Sequence, residues 1–370
     1  MNRRNLLVTG GITLAAGAGA PWMGLRSMGS MPDYEAAVAR SRAVLTARPE
    51  VAELVRYATL APNGHNTQPW RFRVGEGRID VLPDLSRRTP VVDPDDHHLF
   101  VSLGGAAENL ALAGAARGRP GEVTFEPGGA SGLTFAHVAG RDASSILFDA
   151  IPRRQSTRAD YDGRSVSAAD LGMMAAAARV PGVDLILITD RPEIDRVRDL
   201  VVHGNTVQLG DAAFLRELKS WIRFNPRDAL RTGDGLFSVV SGSPALPAWL
   251  GPTLFDATLK TATDNDKYAR QIASSAGIAV FVGERADPDH WTRVGRASQR
   301  FALQATALGL KLAYLNQPVE VAALRPELAR LIGMPGRRPD LVIRFGYGPT
   351  LPYSARRAAS FAMPMAHRDG

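Results

Sequence analysis

The sequence predicts an α+β protein built from two consecutive units of one kind, and three observations carry that prediction. Helical stretches and short strand-like runs alternate along the whole chain instead of being sorted into separate parts. One order of elements, helix, turn, strand, long helix, strand, occurs twice. The stretch Ala107-Glu108-Asn109-Leu110-Ala111-Leu112 through Ala116-Arg117-Gly118 aligns without a gap on Ser298-Gln299-Arg300-Phe301-Ala302-Leu303 through Ala307-Leu308-Gly309. Such a chain is expected to be a monomer that acts as a dimer of its own halves, with a ligand cleft between them. The expected boundaries are 1–30 for a leader and linker, 31–145 and 146–357 for the halves, and 358–370 for a tail.

In the first half, apolar residues recur at helical spacing over 33–60, broken near Pro49 into two helices. Trp70–Val74 and Arg78–Pro83 alternate as strands, and Gly75-Glu76-Gly77 between them signals a hairpin. Asp95 or Asp96 is the expected N-cap of a long Ala/Leu-rich helix from Leu99 to Arg117. His97 and His98 beside the aspartates look like metal ligands at first sight, but adjacent helix residues point apart, so no metal is expected. Glu122–Glu126 and Leu133–Val138 close the half as strands.

The second half opens with a helix from Ser167 or Asp170 to Arg179, then a continuous apolar strand, Val183–Thr189. Helices follow at about Pro192–Gln208 and Asp211–Arg223. Over 225–263 the periodicity dissolves among glycines and prolines, yet Leu236, Phe237, Trp249, Leu250, Leu254 and Phe255 need something to pack on. The segment is expected to be a lid over a site; a simple surface excursion has the same composition. Ala276–Val282 (strand), Pro288–Leu308 (long helix), Lys311–Leu315 (extended), Pro326–Ile332 (helix) and Leu341–Phe345 (strand) complete the half.

Composition narrows the chemistry. The 370 residues contain no cysteine, which excludes disulfides, thiolate metal sites and a cysteine nucleophile. The net charge of +7 is dispersed and no basic tract is interleaved with aromatics, so nucleic acid is not an expected partner. Asn2-Arg3-Arg4-Asn5-Leu6-Leu7 followed by a glycine-rich apolar run has the form of an export signal, with the paired arginines of the twin-arginine route. Its apolar run of about 15 residues is short for a stable membrane span. The expected location is outside the cytoplasm.

Two motifs carry function. Ala61-Pro62-Asn63-Gly64-His65-Asn66-Thr67-Gln68-Pro69-Trp70 joins a helix to a strand. Pro62 and Pro69 fix φ, Gly64 permits positive φ or close approach to a flat ligand, and Asn63, Asn66 and Gln68 offer donors and acceptors to the polar edge of a heterocycle. Single pieces of it also make ordinary polar turns. Arg153-Arg154-Gln155-Ser156-Thr157-Arg158 holds three guanidinium groups and two hydroxyls in six residues, a set suited to phosphate.

Together the two motifs resemble the signatures of the FMN-dependent nitroreductase family, over most of residues 50–357, and the order of the halves resembles its duplicated Acg-type branch. That resemblance implies a nitroreductase-like fold with one intact flavin site between the halves, the other having lost its motifs. It implies that Arg154 and Ser156 hold the phosphate and ribityl chain, and that Arg158 stands near the pyrimidine edge. It also implies that Pro62, Asn63, Gly64 and Asn66 meet the ring and ribityl chain. The Leu315-Asn316-Gln317 backbone would face N5, and Arg356 and Arg357 would complete the phosphate site; Asn205 is a further candidate ring contact. The implied activity is two-electron reduction of an electron-poor small molecule, such as a nitroaromatic or quinone, at the expense of NAD(P)H or another donor, with no acid–base residue of the protein's own. A flavin-binding or sequestering protein whose lid blocks turnover is the alternative. Trp249 and Phe255 are the lid residues expected near the acceptor.

Overall fold

The computed structural model describes residues 28–128 and 132–363. Residues 1–27 of the expected export signal and 364–370 of the tail lie outside the described residues. The helices are α1 (Met31–Ser41), α2 (Val51–Ala58), α3 (His97–Ala116), α4 (Ile146–Ala150), α5 (Ala168–Ala177), α6 (Arg191–Gly210), α7 (Ala212–Ser220), α8 (Pro226–Thr232), α9 (Gly251–Thr258), α10 (Thr261–Ala273), α11 (Pro288–Ala307), α12 (Gln317–Glu320), α13 (Arg325–Leu331) and α14 (Ala359–Ala362). The strands are β1 (Trp70–Gly75), β2 (Arg78–Pro83), β3 (Gly121–Glu126), β4 (Gly132–His137), β5 (Val183–Ile188), β6 (Ile222–Arg223), β7 (Leu236–Phe237), β8 (Gly277–Gly283), β9 (Lys311–Tyr314) and β10 (Leu341–Gly346). The fold is α+β.

Two antiparallel four-stranded sheets organise it, in the orders β1-β2-β4-β3 and β5-β8-β10-β9. The first is one-sided. Trp70 and Phe72 are buried while Arg71 and Arg73 are exposed, the period-2 pattern of a sheet with one wet face. Its apolar face shares a core with α2 and α3. The second sheet is covered on both faces. β8 and β10 are buried at every position, with α5 and α11 on one side and α6, α10 and α13 on the other. A continuous apolar run is what such a strand requires.

The two long helices α3 and α11 cross at the centre. Continued toward the N-terminus, the gapless alignment of these helices pairs Gly104 with Gly295 and Val101 with Thr292. The crossing has the same pairing: a Cβ on Gly104 would lie 1.9 Å from Thr292 O, and one on Gly295 2.0 Å from Val101 O. Each glycine thus sits on the carbonyl of the residue three before the other glycine, the reciprocal contact of an isologous interface. Beside it, Glu108 accepts from Arg296 Nε (2.8 Å) and Arg300 Nη1 (2.7 Å), and Gln299 Nε2 donates to Asn109 Oδ1 (2.6 Å). By length and composition α3 is apolar enough to cross a membrane, but 78% of its most apolar window is buried inside the protein, which makes it a core helix.

Local expectations fail in three places for identifiable reasons. Asp96 is the N-cap residue of α3, as expected, but its side chain makes no capping bond. Asp96 occupies left-handed space (φ 58°), and Asp93 reaches forward to accept from the amides of His98 and Leu99, both at 3.0 Å. The stretch 225–263 is not a structureless loop. Asn225 caps α8 through the Asp228 amide (2.9 Å), Gly233 closes it at φ 64°, and α9 follows. These helices are too short to show a period. The α10 helix has no expected counterpart, because its sequence is polar on most faces.

The crossing is testable by adding single methyl groups. Gly104→Ala and Gly295→Ala are each expected to cost about 1–3 kcal/mol or more by overpacking. Gly172→Ala, inside α5 with nothing within 4 Å of the added carbon, should gain about 0.5–1 kcal/mol. Urea unfolding followed by tryptophan fluorescence checks this; equal shifts at all three positions would rule out a tight crossing.

Candidate active site

The turn after α2 and the run after α4 meet at one cavity of about 610 Å³, within the range of pockets that hold a cofactor or drug-sized ligand. Pro62, Asn63 and Gly64 line it from the turn, Ser156 and Arg158 from the arginine run, and Asn316 and Gln317 from the start of α12. The helix crossing contributes Val101, Ser102, Gly295 and Ser298. Gly64 does not use positive φ; its place is open, with nothing within 4 Å of a built Cβ. That leaves room for a flat group to approach the backbone. His65, Asn66 and Gln68 carry the left-handed angles instead (φ 47°, 55° and 54°).

The carboxamides of Asn66 and Gln68 face inward, and neither residue lines the cavity. Asn66 Nδ2 donates to Gly235 O (3.0 Å) and Ala355 O (3.2 Å), and its Oδ1 accepts from Arg356. Gln68 Nε2 donates to Gly233 O (2.9 Å) and its Oε1 accepts from the Arg357 amide (2.9 Å). Asn63 Oδ1 accepts from the Gln68 amide (2.8 Å). These bonds tie the turn to the base of the 225–263 segment and to residues 355–357. An ion pair between Arg87 and Asp234 adds to the seam, and Arg223 joins Asp234 at 2.7 Å.

Arg154 and Arg356 lie outside the cavity lining but beside the turn, and Arg42, which the sequence did not single out, joins them. Arg154 donates to Leu60 O (3.1 Å), Arg356 to Thr59 O (2.7 Å) and Ala61 O (3.2 Å), and Arg42 to Pro152 O (2.8 Å). Burial lowers the pKa of all three, and mutual repulsion lowers those of Arg42 and Arg356 further, with no carboxylate among the opposing influences. Arg42 Nε and Arg154 Nε and Nη1 are buried without a partner among the described residues. Two buried guanidinium groups and the half-buried Arg356, which cannot shed their charge, meet no carboxylate among the described residues. Arg357 is directed elsewhere: its charged neighbours are Arg87, Asp84, Asp234 and Arg71.

Around the cavity, further buried polar atoms form no hydrogen bond among the described residues: His65 Nδ1, His98 Nε2, Tyr314 Oη and Gln317 Oε1. Native interiors rarely leave such groups orphaned, so a polar ligand fits here. Arg158 lines the cavity and forms no ion pair among the described residues. Leu315 is buried and its amide is already given to Val342 O (2.8 Å), while Asn316 Oδ1 accepts from Val342 N (3.1 Å). Any amide offered to a ligand therefore belongs to Asn316 or Gln317, where α12 begins. Arg344, fully buried in β10, holds the arginine run in place through Thr157 O (3.1 Å) and Ala159 O (2.8 Å). An arginine inside the apolar run Leu341–Phe345 was the sequence signal for it.

His98 Nε2 stands 3.6 Å from Glu320 Oε1, and Gln208 donates to Glu320 Oε2 (2.6 Å). The His97 and His98 rings are neighbours, with centroids 4.5 Å apart, but His97 turns to Asp340 (2.9 Å). Asn205 lines the cavity, its amide bound to Asn265 Oδ1 (2.8 Å). From 225–263, Phe255 and Leu236 line the cavity, whereas Trp249 does not; it is 70% exposed.

No family model matches the chain. A Mycobacterium tuberculosis protein with the provisional name NAD(P)H nitroreductase is 28% identical, over 84% of this chain and 90% of its own length. A second M. tuberculosis protein, with the provisional name NAD(P)H nitroreductase acg, is 25% identical over 81% and 90%. Over four fifths of its length the chain is thus similar to proteins named as NAD(P)H nitroreductases. Among solved structures, a nitroreductase with bound FMN from Desulfitobacterium hafniense aligns with 58% of this chain and 96% of its own, at 14% identity and a TM-score of 0.37.

The half-buried histidines His65 and His98 are expected to make the site acid-sensitive. Burial pushes His65 down to about 4 and His98 to about 3, so both fold neutral. The unfolded chain takes up protons first, near the ordinary histidine value of about 6.5. Stability is therefore whole above that pH and falls as pH drops toward 4, by up to about 1.4 kcal/mol per pH unit for each proton. His65→Asn keeps a residue that tolerates left-handed φ and should flatten this slope. Unfolding midpoints between pH 4 and 7 measure it; an unchanged slope would mean that His65 titrates normally.

Proposed function

We propose that this protein is an FMN-dependent oxidoreductase that reduces an electron-poor small molecule, such as a nitroaromatic or a quinone, with NAD(P)H as the donor. The observation that carries the proposal is the uncompensated cluster Arg42, Arg154 and Arg356 beside a cavity whose walls hold Pro62–Gly64, Ser156 and Arg158. A phosphate satisfies the cluster by charge-assisted hydrogen bonds, and a flat ring fits the open backbone at Gly64. When bound, FMN supplies two-electron chemistry. The chain's own residues bind and orient. Arg154 would hold the phosphate, and Ser156 the adjoining chain. Arg158 would set a positive charge beside the ring, where it favours the reduced, anionic form. Asn316 and Gln317 would offer backbone amides to the ring edge, and the lid segment would exclude water.

The reciprocal helix crossing supports the reading that residues 31–145 and 146–357 are two halves of an internal dimer, with one cofactor per chain. The N-terminal sequence supports export by the twin-arginine route, which would carry the protein out with its cofactor inserted. The roof over the cavity favours a second reading, in which the protein holds FMN without turnover.

Three measurements test this. Protein purified without added flavin should show a flavin band near one per chain, released by heat as FMN; a colourless protein that also refuses added FMN would sink the proposal. Anaerobic NAD(P)H should bleach that band, and a band that persists selects the sequestering reading. Arg154→Ala should weaken FMN by about 1.5–3 kcal/mol while the apo-protein's stability holds or rises, because an unpaired buried charge has been removed. An arginine of purely structural use would show the reverse pattern.

A further inference from the structure

The cavity has two unlike ends. Beyond the residues assigned above to the cofactor, it runs on beneath the lid. There it is walled by side chains such as Phe214 and Leu218 of α7, Phe224, Leu236, and Leu254 and Phe255 of α9. Among the described residues, none that lines the cavity between Leu209 and Leu259 carries a charge. Its hydroxyls are partly spent. Ser238 Oγ donates to Pro244 O (3.1 Å) and Thr258 Oγ1 to Leu254 O (2.6 Å). Lys267, which also lines the cavity, donates to Ser241 O (3.3 Å) and is held below the usual lysine range by burial. An occupant of this end meets hydrocarbon and very few directional partners.

We infer that the lid end is a chamber for an apolar chain, and that the acceptor is a quinone bearing an alkyl or prenyl tail. The inference rests on the oxidoreductase reading and narrows its substrate. A second nucleotide is a poor occupant, since the side chains lining the cavity between Leu209 and Leu259 are uncharged and Lys267, beside Ser241, is already bonded to its carbonyl. A small untailed nitroaromatic would leave the chamber's apolar walls against water. A tailed quinone resolves both: its ring lies against the cofactor and its tail replaces water along the lid. The ring gains two electrons and two protons to become a hydroquinone. One hydride comes from the reduced cofactor, recharged by NAD(P)H, and one proton comes from solvent. The gain belongs to ground state and transition state alike, so it appears in KM rather than in kcat.

The experiment uses the FMN-loaded protein and benzoquinones of one ring substitution with alkyl tails from none to six carbons. Calorimetric titration measures binding, and steady-state NAD(P)H oxidation measures kcat and KM. Each of the first few methylenes should tighten binding and raise kcat/KM about fourfold, the transfer value of one buried CH₂, with kcat nearly level. Affinity that does not change with tail length overturns the chamber, even where untailed quinones are reduced. Binding that rises with tail length without any NAD(P)H oxidation supports the chamber and retires the oxidoreductase reading instead. Leu254→Asp should cancel the dependence on tail length, and Leu254→Met, which conserves volume, should keep it. A steep dependence surviving Leu254→Asp in a protein of normal melting temperature would place the tail elsewhere and overturn the assignment.

Discussion

The crossing of α3 and α11 is the constraint from which the rest of the architecture follows. Two helices approach closely only where both lack side chains, and here Gly104 and Gly295 meet each other's backbone carbonyl region reciprocally. The contact leaves no freedom in register. Glu108 is consequently locked between Arg296 and Arg300, and each helix must turn its remaining apolar faces toward a different sheet. One end of the same crossing, at Val101, Ser102, Gly295 and Ser298, forms part of the cavity wall. The core of the fold and the wall of the site are therefore one structure, and a shift in the crossing would be felt in both.

Around that rigid centre the site carries a large electrostatic debt. Arg42 and Arg154, both buried, and the half-buried Arg356 lie together; their hydrogen bonds among the described residues go to carbonyl and carboxamide oxygens, and Arg42 also stacks on the Tyr353 ring. Neutral dipoles solvate a guanidinium but do not cancel its charge, and removing it from water costs several kcal/mol per ion. A fold maintains such an arrangement when an anion relieves it, so the ligand and the stability of this region are coupled. The turn 61–70 is built to survive that strain. Asn66 and Gln68 hold left-handed backbone angles and spend their carboxamides on the lid base and on residues 355–357. Residues that read from the sequence as ligand contacts work here as the seam joining three distant segments.

The contrast between the two ends of the cavity is of the same kind. Cations, histidines and amides crowd the end near the turn, where burial keeps His65 and His98 neutral. Phenyl and aliphatic groups occupy the end beneath α9. Each end restricts its occupant by what would be left unsatisfied: an anion is needed at one, and a hydrogen-bonding group is wasted at the other.

Residue patterns by themselves determined the α+β class, the strands and the long helices, since alternation and helical spacing are local consequences of which face meets the core. They also located the turn, the arginine run and the start of α12, because proline, glycine and clustered arginine restrict local chemistry wherever they stand. Tertiary structure alone decided which of those residues face the cavity. Asn66 turned away because its partner Gly235 comes from a distant part of the chain, Arg357 lies over the Phe361 ring, and the Leu315 amide was claimed by Val342. Arg42, an ordinary residue after a polar helix, entered the cationic cluster only through its placement against Pro152. His98 and Glu320 face each other across more than two hundred residues of sequence. Local spacing encodes the direction a side chain takes from its own backbone; what it meets there depends on where the other elements come to rest.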